Sequence, residues 1–79
     1  MFDLDDLLDY VQDDCVIDIY DCNGGELDCL VKDMSKDEAR TWHENHSYTL
    51  ESFEPIQRKG AGGRVEFGIV FNLSDIEDR

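Results

Sequence analysis

Apolar residues occupy every second position of the chain over nine residues near its C-terminal end, at Val65, Phe67, Ile69, Phe71 and Leu73. Because successive side chains of a strand point to opposite faces of a sheet, this spacing predicts a strand with one apolar face. Such a face needs a covering layer and neighbouring strands. The rest of the chain must therefore supply both.

A first helix is predicted over residues 3–12. Asp3 is a favourable N-cap residue, and apolar residues follow with the spacing of one helical stripe, at Leu4, Leu7, Leu8 and Val11. Several carboxylates lie in the first turns, where they face the positive end of the helix dipole.

A second helix is predicted over residues 36–45. Ser35 and Glu38 have the spacing of a capping box, with Ser35 at the N-cap. Ala39 and Trp42 then face the core. Trp42 is the only tryptophan of the chain, and its large apolar ring predicts that it is the main anchor of the core.

Residues 15–21 and 26–32 alternate as two strands, separated by the turn sequence Asn23-Gly24-Gly25. A three-residue loop with a glycine bulge would pair Ile17 with Val31 and Ile19 with Cys29. This register keeps one face apolar, whereas a slip by one residue would invert every side chain.

A third strand is predicted over residues 48–56, where Pro55 favours an edge or a bend. The basic, glycine-rich segment 58–64 is interpreted as a hairpin loop, with a backbone nest for a phosphate as the alternative. The fourth strand is the alternating segment 65–73, and the polar residues 74–79 are expected to fray.

These segments predict an α+β fold in the order α-β-β-α-β-β. Two hairpins joined by a helix favour a four-stranded, mainly antiparallel sheet with two helices packed on one face. A chain of 79 residues makes one small domain, 1–79. Neither a signal peptide nor a membrane span is visible, which predicts a cytoplasmic protein.

The chain has 20 acidic residues against 7 basic ones, a net charge of −13, although 41% of its residues are hydrophobic. This apolar content is enough to fold, so the charge must lie on an ordered surface. Such a field repels nucleic acids and anionic membranes and attracts basic proteins. A basic partner is therefore expected, with solubility alone as the alternative explanation of the charge.

Carboxylates from helix 1, from the segment after it and from the bare face of the sheet make up the candidate partner-binding array. Carboxylates on a grid of strands repeat at distances comparable to those between phosphates of one nucleic-acid strand, so the array could occupy a groove meant for a polyanion. Its predicted members are Asp5, Asp6, Asp9, Asp13, Asp14, Asp18, Asp28, Glu51 and Glu66.

In a competing hypothesis, the bare face of the sheet binds a partner through apolar side chains. Tyr20, Leu30 and Val70 are predicted on that face, and an exposed apolar patch usually has a partner. The protein would then be a structural or interaction module that forms a homodimer or a hetero-complex.

Catalytic, metal and cofactor sites are not predicted. The three cysteines, Cys15, Cys22 and Cys29, form no Cys-x-x-Cys clip, and an odd number suits a reducing compartment. His43 and His46 alone are a weak ligand set. No base is positioned to activate a nucleophile, so we expect no enzyme activity.

In size, acidity and mixed α/β pattern, the chain resembles the small phage and mobile-element proteins that block host defence nucleases by DNA mimicry, such as anti-restriction and anti-CRISPR proteins. The resemblance covers overall character and assigns no role to any residue. It implies a non-enzymatic inhibitor that binds a nucleic-acid-binding protein or nuclease.

Overall fold

The secondary structure follows the predicted order. The computed structural model describes residues 3–79 apart from the side chain of Ala61, so Met1 and Phe2 of the predicted domain lie outside the described residues. The elements are α1 Leu4–Leu8, β1 Val16–Asp21, β2 Asp28–Met34, α2 Lys36–Glu44, β3 His46–Lys59 and β4 Val65–Asp78. Short 3₁₀ turns connect β1 to β2 and β3 to β4. The predicted α+β class is confirmed.

The four strands form one sheet in the order β2-β1-β4-β3. The central strands β1 and β4 are parallel, and the two outer pairs are antiparallel hairpins. Both helices pack on one face, because a single core cluster unites their apolar side chains with those of β1 and β4. The prediction of a mainly antiparallel sheet with both helices on one face is confirmed.

The buried core contains residues from both helices and three strands: Leu4, Leu7, Leu8, Ile17, Ile19, Met34, Ala39, Phe71 and Leu73. Phe71 is the largest fully buried side chain among residues 3–79, and Trp42 is only partly buried at the margin. The prediction that Trp42 anchors the core is therefore wrong. Phe71 holds that position because β4 lies in the middle of the sheet, with neighbours on both sides.

Helix α1 has the predicted N-cap but is half the predicted length. The Asp3 side chain accepts a hydrogen bond from the Asp6 N–H and the Asp6 side chain accepts one from the Asp3 N–H, which completes a capping box. Beyond Leu8, Tyr10 and Val11 donate to the carbonyls three residues earlier. These tighter bonds end the helix before Val11 can extend the buried stripe.

The predicted register of the first hairpin is wrong. Ile17 lies opposite Met34 and Ile19 lies opposite Val31, whereas Ile19 was expected opposite Cys29. The face stays apolar, because Met34 and Val31 both pack at the core.

Two irregularities in β2 explain the difference. The register shifts on either side of the Ile19 pair, and Asp33 has a positive φ of 58°. Bulges add residues to one strand without adding them to its partner. Counting residue pairs regularly from the turn therefore assigns the wrong partners to Ile17 and Ile19, although apolar residues still lie opposite each other.

The second hairpin is longer at both ends than predicted. Strand β3 includes Arg58 and Lys59, and the connection shortens to residues 60–64. Strand β4 continues to Asp78, which lies opposite His46, so the expectation of a frayed tail is wrong. Pro55 lies on an edge strand, as predicted.

Within residues 3–79, no helix is long and apolar enough to cross a membrane.

Candidate partner-binding surface

Asp18 lies on the sheet face opposite the helices, as predicted, but it is only 3% exposed. Both of its carboxylate oxygens accept hydrogen bonds from Arg58 Nη2 at 2.9 Å. The Asp33 backbone N–H donates a third bond, also at 2.9 Å. A carboxylate enclosed in this way cannot present its charge to a partner.

Arg58 joins three strands across this face. From β3 it reaches over β4 to Asp18 on β1, and its Nη1 also lies 2.7 Å from a carboxylate oxygen of Asp33 on β2. The hydrogen bond to Asp18 is the largest cause of the raised pKa of Arg58. We call Asp18, Asp33 and Arg58 the buried ion cluster after its buried member Asp18, although the Asp33 side chain is 59% exposed.

The carboxylates of the predicted first helix are mostly used within the fold. Arg40 of α2 bonds Asp5 at 3.0 Å and Asp9 at 2.8 Å. The bond to Asp9 is the largest cause of the raised pKa of Arg40. Asp6 completes the capping box described above. These three acids hold α1 and α2 in place, although parts of their side chains stay accessible.

The segment after α1 is more open. Asp13 lies 3.5 Å from Lys36 Nζ but is 97% exposed. Asp14 is exposed beside Val65 and Phe67. Both can still meet a partner.

The two remaining predicted acids of the second hairpin lie far apart. Glu66 is exposed near the tip, opposite Arg58 in the β3–β4 register. Glu51 lies near the other end, where it accepts a hydrogen bond from the Ser74 hydroxyl. A continuous array on the bare face would require these acids and Asp18 to be exposed side by side, and they are not.

Asp28 does not lie on the predicted face. It pairs with Asp21, one position beyond the Tyr20–Cys29 pair, so it faces the opposite side of the sheet from Asp18. Two carboxylates directly opposite each other on paired strands repel.

Asp75 lies near the end of the sheet that carries the Asp21–Asp28 pair. Its backbone N–H lies 3.4 Å from the Asn23 side-chain oxygen, and the Cys22 N–H donates to the Leu73 carbonyl at 2.9 Å. Asp21 in turn accepts a bond from the Asn23 N–H at 2.9 Å. These bonds fix the turn against β4.

We call this end of the sheet the carboxylate end, made of Asp21, Asp28, Glu51 and Asp75. The four residues come from four strands that reach this end, since β1 and β4 run parallel and their partners run antiparallel. They do not share one face: Asp21 and Asp28 are in register with Leu73 on the helix-facing side, whereas Glu51 bonds Ser74 on the bare face. No ion pair within the described residues involves any of them. The end is therefore strongly negative.

Two of these four acids, Asp21 and Asp75, are not among the predicted members of the array. Asp21 precedes Asn23-Gly24, a pattern that favours a side-chain-capped turn, and this signal was available. Asp75 fell in the segment expected to fray. The position of Asp75 could not be predicted from the sequence, because it depends on β4 pairing with the start of β3.

The exposed apolar surface also differs from the predicted one. Tyr20 and Val70 are half-buried on the bare face, and only Leu30 of the predicted set is well exposed. On the helix-facing side of β4, Val65 is 51% and Phe67 61% exposed, because the helices do not extend over the hairpin tip.

The predicted weak metal ligands have structural partners. His43 Nδ1 lies 2.6 Å from the Tyr48 hydroxyl, and His46 bonds the Trp42 carbonyl and the Asp78 carboxylate. In the part of the chain that the structure describes, no three metal-ligating side chains come together.

Comparison of the chain with protein-family models, with curated proteins and with solved structures found no match.

Proposed function

We propose that this is a non-enzymatic acidic protein that binds a basic protein surface, as a DNA mimic that inhibits a nucleic-acid-binding protein or nuclease. The observation that carries the proposal is the carboxylate end, where four acids are held on paired strands. With a net charge of −13, the whole molecule attracts a cationic partner before contact is made.

The construction of the carboxylate end supports a binding role. Strands lie about 4.8 Å apart, so acids on three adjacent strands span about 10 Å. The Asp21–Asp28 pair opposes folding, since like charges face each other. The Asn23 N–H nevertheless holds the Asp21 carboxylate in place, which lowers the entropy lost when a basic surface docks.

The candidate surface is smaller than the array predicted from sequence. Asp18 contributes to the fold rather than to the surface, and Asp5, Asp6 and Asp9 are largely engaged. Asp13, Asp14 and Glu66 extend the negative surface at the other end of the sheet, but there they lie near Lys36 and Arg64.

A column experiment tests the proposal. The wild-type protein, the variant Asp28→Asn/Glu51→Gln/Asp75→Asn and a control variant are immobilised and loaded with host lysate at low salt. The control removes the same charge elsewhere, by Asp14→Asn/Glu44→Gln/Glu54→Gln, at exposed positions. We expect nucleic-acid-binding proteins on the wild type and the control, eluted by moderate NaCl and displaced by duplex DNA.

Two results would contradict this function. The first is equal retention on all three columns, which would make the charge nonspecific. The second is a partner that resists high salt and DNA, which would indicate an apolar interface.

The exposed residues of the second hairpin support one alternative, an interaction module. Val65 and Phe67 near the hairpin tip, and Phe53 in the middle of β3, are large apolar side chains left uncovered. In that case Phe67→Ser would abolish association that the charge variants leave intact, as measured by sedimentation or by the same columns.

A further inference from the structure

A groove of about 480 Å³ runs beside α2. It is lined by Met34, Asp37, Glu38, Thr41, Trp42, Asn45 and His46. From Asp37 to the C-cap Asn45 a helical rise gives a length of about 12 Å. This is enough for a long side chain and the backbone beside it.

The floor and one wall of the groove are apolar and rigid. Met34 is buried beneath it, and the rings of Trp42 and His46 stack with centroids 4.1 Å apart. His46 is itself held by the Trp42 carbonyl at 2.7 Å and by Asp78 at 3.1 Å. The aromatic wall is therefore preorganised, which reduces the cost of binding.

The opposite end of the groove carries two carboxylates in the first turn of α2. Asp37 is exposed, and Glu38 uses one carboxylate oxygen to accept the Ser35 N–H, while the other oxygen has no hydrogen-bond partner among the described residues. Neither residue takes part in an ion pair among residues 3–79. An apolar trough that ends in paired acids fits a side chain with an apolar stem and a cationic head.

We infer that this groove binds an arginine side chain of the basic partner, an inference that rests on the proposed function. The stem lies against Met34 and Trp42, and the guanidinium reaches Asp37 and Glu38. Arginine suits the site because its planar, weakly hydrated head forms paired hydrogen bonds with carboxylates and packs on aromatic rings. The cationic head lies away from His46, whose ring already bonds Asp78.

The sole tryptophan makes the groove directly observable. Hexa-arginine is titrated into the protein at low salt, with binding measured by calorimetry and Trp42 emission recorded in a parallel titration. Hexa-citrulline, which has nearly the same shape without the charge, is the control peptide. We expect a saturable change in Trp42 emission with hexa-arginine alone, at the same dissociation constant as the heat signal.

Matched variants separate the groove from general attraction. Asp37→Asn/Glu38→Gln removes two charges, while the amide introduced by Glu38→Gln can still complete the capping box. Glu26→Gln/Glu54→Gln removes two charges at exposed positions on other elements. We expect about tenfold weaker binding and loss of the emission change in the first variant, and less than about threefold weakening in the second.

Each other outcome has a distinct meaning. Binding of hexa-arginine without a response of Trp42, or equal weakening in both variants, overturns the groove and leaves the proposed function standing. An equal response to hexa-citrulline also overturns the groove. Failure of the wild-type protein to bind hexa-arginine at low salt overturns both.

Discussion

Asp18 and Asp28 come from the paired strands β1 and β2, and both alternate with apolar residues along the chain. Asp18 is buried and bonded to Arg58 from two strands away, together with the Asp33 N–H. Asp28 is exposed and lies directly opposite another carboxylate, Asp21. Asp18 therefore stabilises the fold, whereas the charge of Asp28 opposes folding.

The difference shows why charge alone does not define an interaction surface. Among residues 3–79, six of the twenty acids lie in ion pairs, and two of the six belong to the buried ion cluster. Acids that lie outside these ion pairs keep an unneutralised charge and can attract a partner at little structural cost. Variants that remove a buried, ion-paired acid or its cation should therefore lower stability. Variants that remove an exposed, unpaired acid should instead weaken binding.

The largest effect is expected from Arg58→Met. This change leaves Asp18 buried without its cation, and we expect a loss of about 3 kcal/mol in the free energy of unfolding. Urea unfolding followed by circular dichroism measures it.

The double variant Asp18→Asn/Arg58→Met is the control for the buried ion cluster. The amide introduced by Asp18→Asn can still accept the Asp33 N–H, while no buried charge remains, so most of the lost stability should return. A double variant as unstable as the single one would show that Arg58 acts by packing rather than by charge.

The hydroxyl of Tyr48 provides a second test of how partly buried polar contacts stabilise the fold. It accepts the Leu4 N–H at 3.1 Å and lies 2.6 Å from His43 Nδ1, so it joins α1, α2 and β3. Tyr48→Phe leaves both partners without this bond and should cost about 1.5 kcal/mol, measured by urea unfolding at neutral pH.

The stability due to Tyr48 should also depend on pH. Burial raises the pKa of Tyr48 to about 12, whereas an unfolded tyrosine ionises near pH 10. Its contribution is therefore complete below pH 10 and is lost as the pH rises toward 12. The stability difference between wild type and Tyr48→Phe should narrow over this window, and a constant difference would contradict the assignment.

Arg40→Gln breaks the two exposed ion pairs with Asp5 and Asp9. Such pairs are screened by solvent, so we expect a loss of stability less than about a fifth of that of Arg58→Met at low salt, and smaller still at high salt. Unfolding measured at two NaCl concentrations tests this. A loss comparable to that of Arg58→Met would remove the distinction between buried and exposed pairs.

The smallest effect on stability, and one of opposite sign, is expected from Asp28→Asn. It relieves the repulsion with Asp21 and should add about 0.3 kcal/mol at low salt, while weakening the binding of a basic peptide. Glu26→Gln, which removes a neighbouring charge that faces no carboxylate across the ladder, is the control. A stability loss in Asp28→Asn would show that this carboxylate supports the fold.

Much of the secondary structure was readable from local patterns. The Ser35–Glu38 capping box and the start of α2, the N-cap Asp3, the turn at Asn23-Gly24 and the strand after Val65 all follow from nearest neighbours. The bulges of β2 and the length of the second hairpin could not be predicted from the sequence. They depend on which strand lies alongside and on how far that partner extends.

The sequence by itself determined the α+β class, the element order, the apolar face of the sheet and the net charge of −13. These depend on composition and on periodicity within single segments. Only the tertiary structure decided which acids are free, because the order β2-β1-β4-β3 brings Arg58 to Asp18 and Asp75 to Asn23. Arg58 and Asp18 are 40 positions apart in the chain, and no local pattern records which partner a buried charge will find.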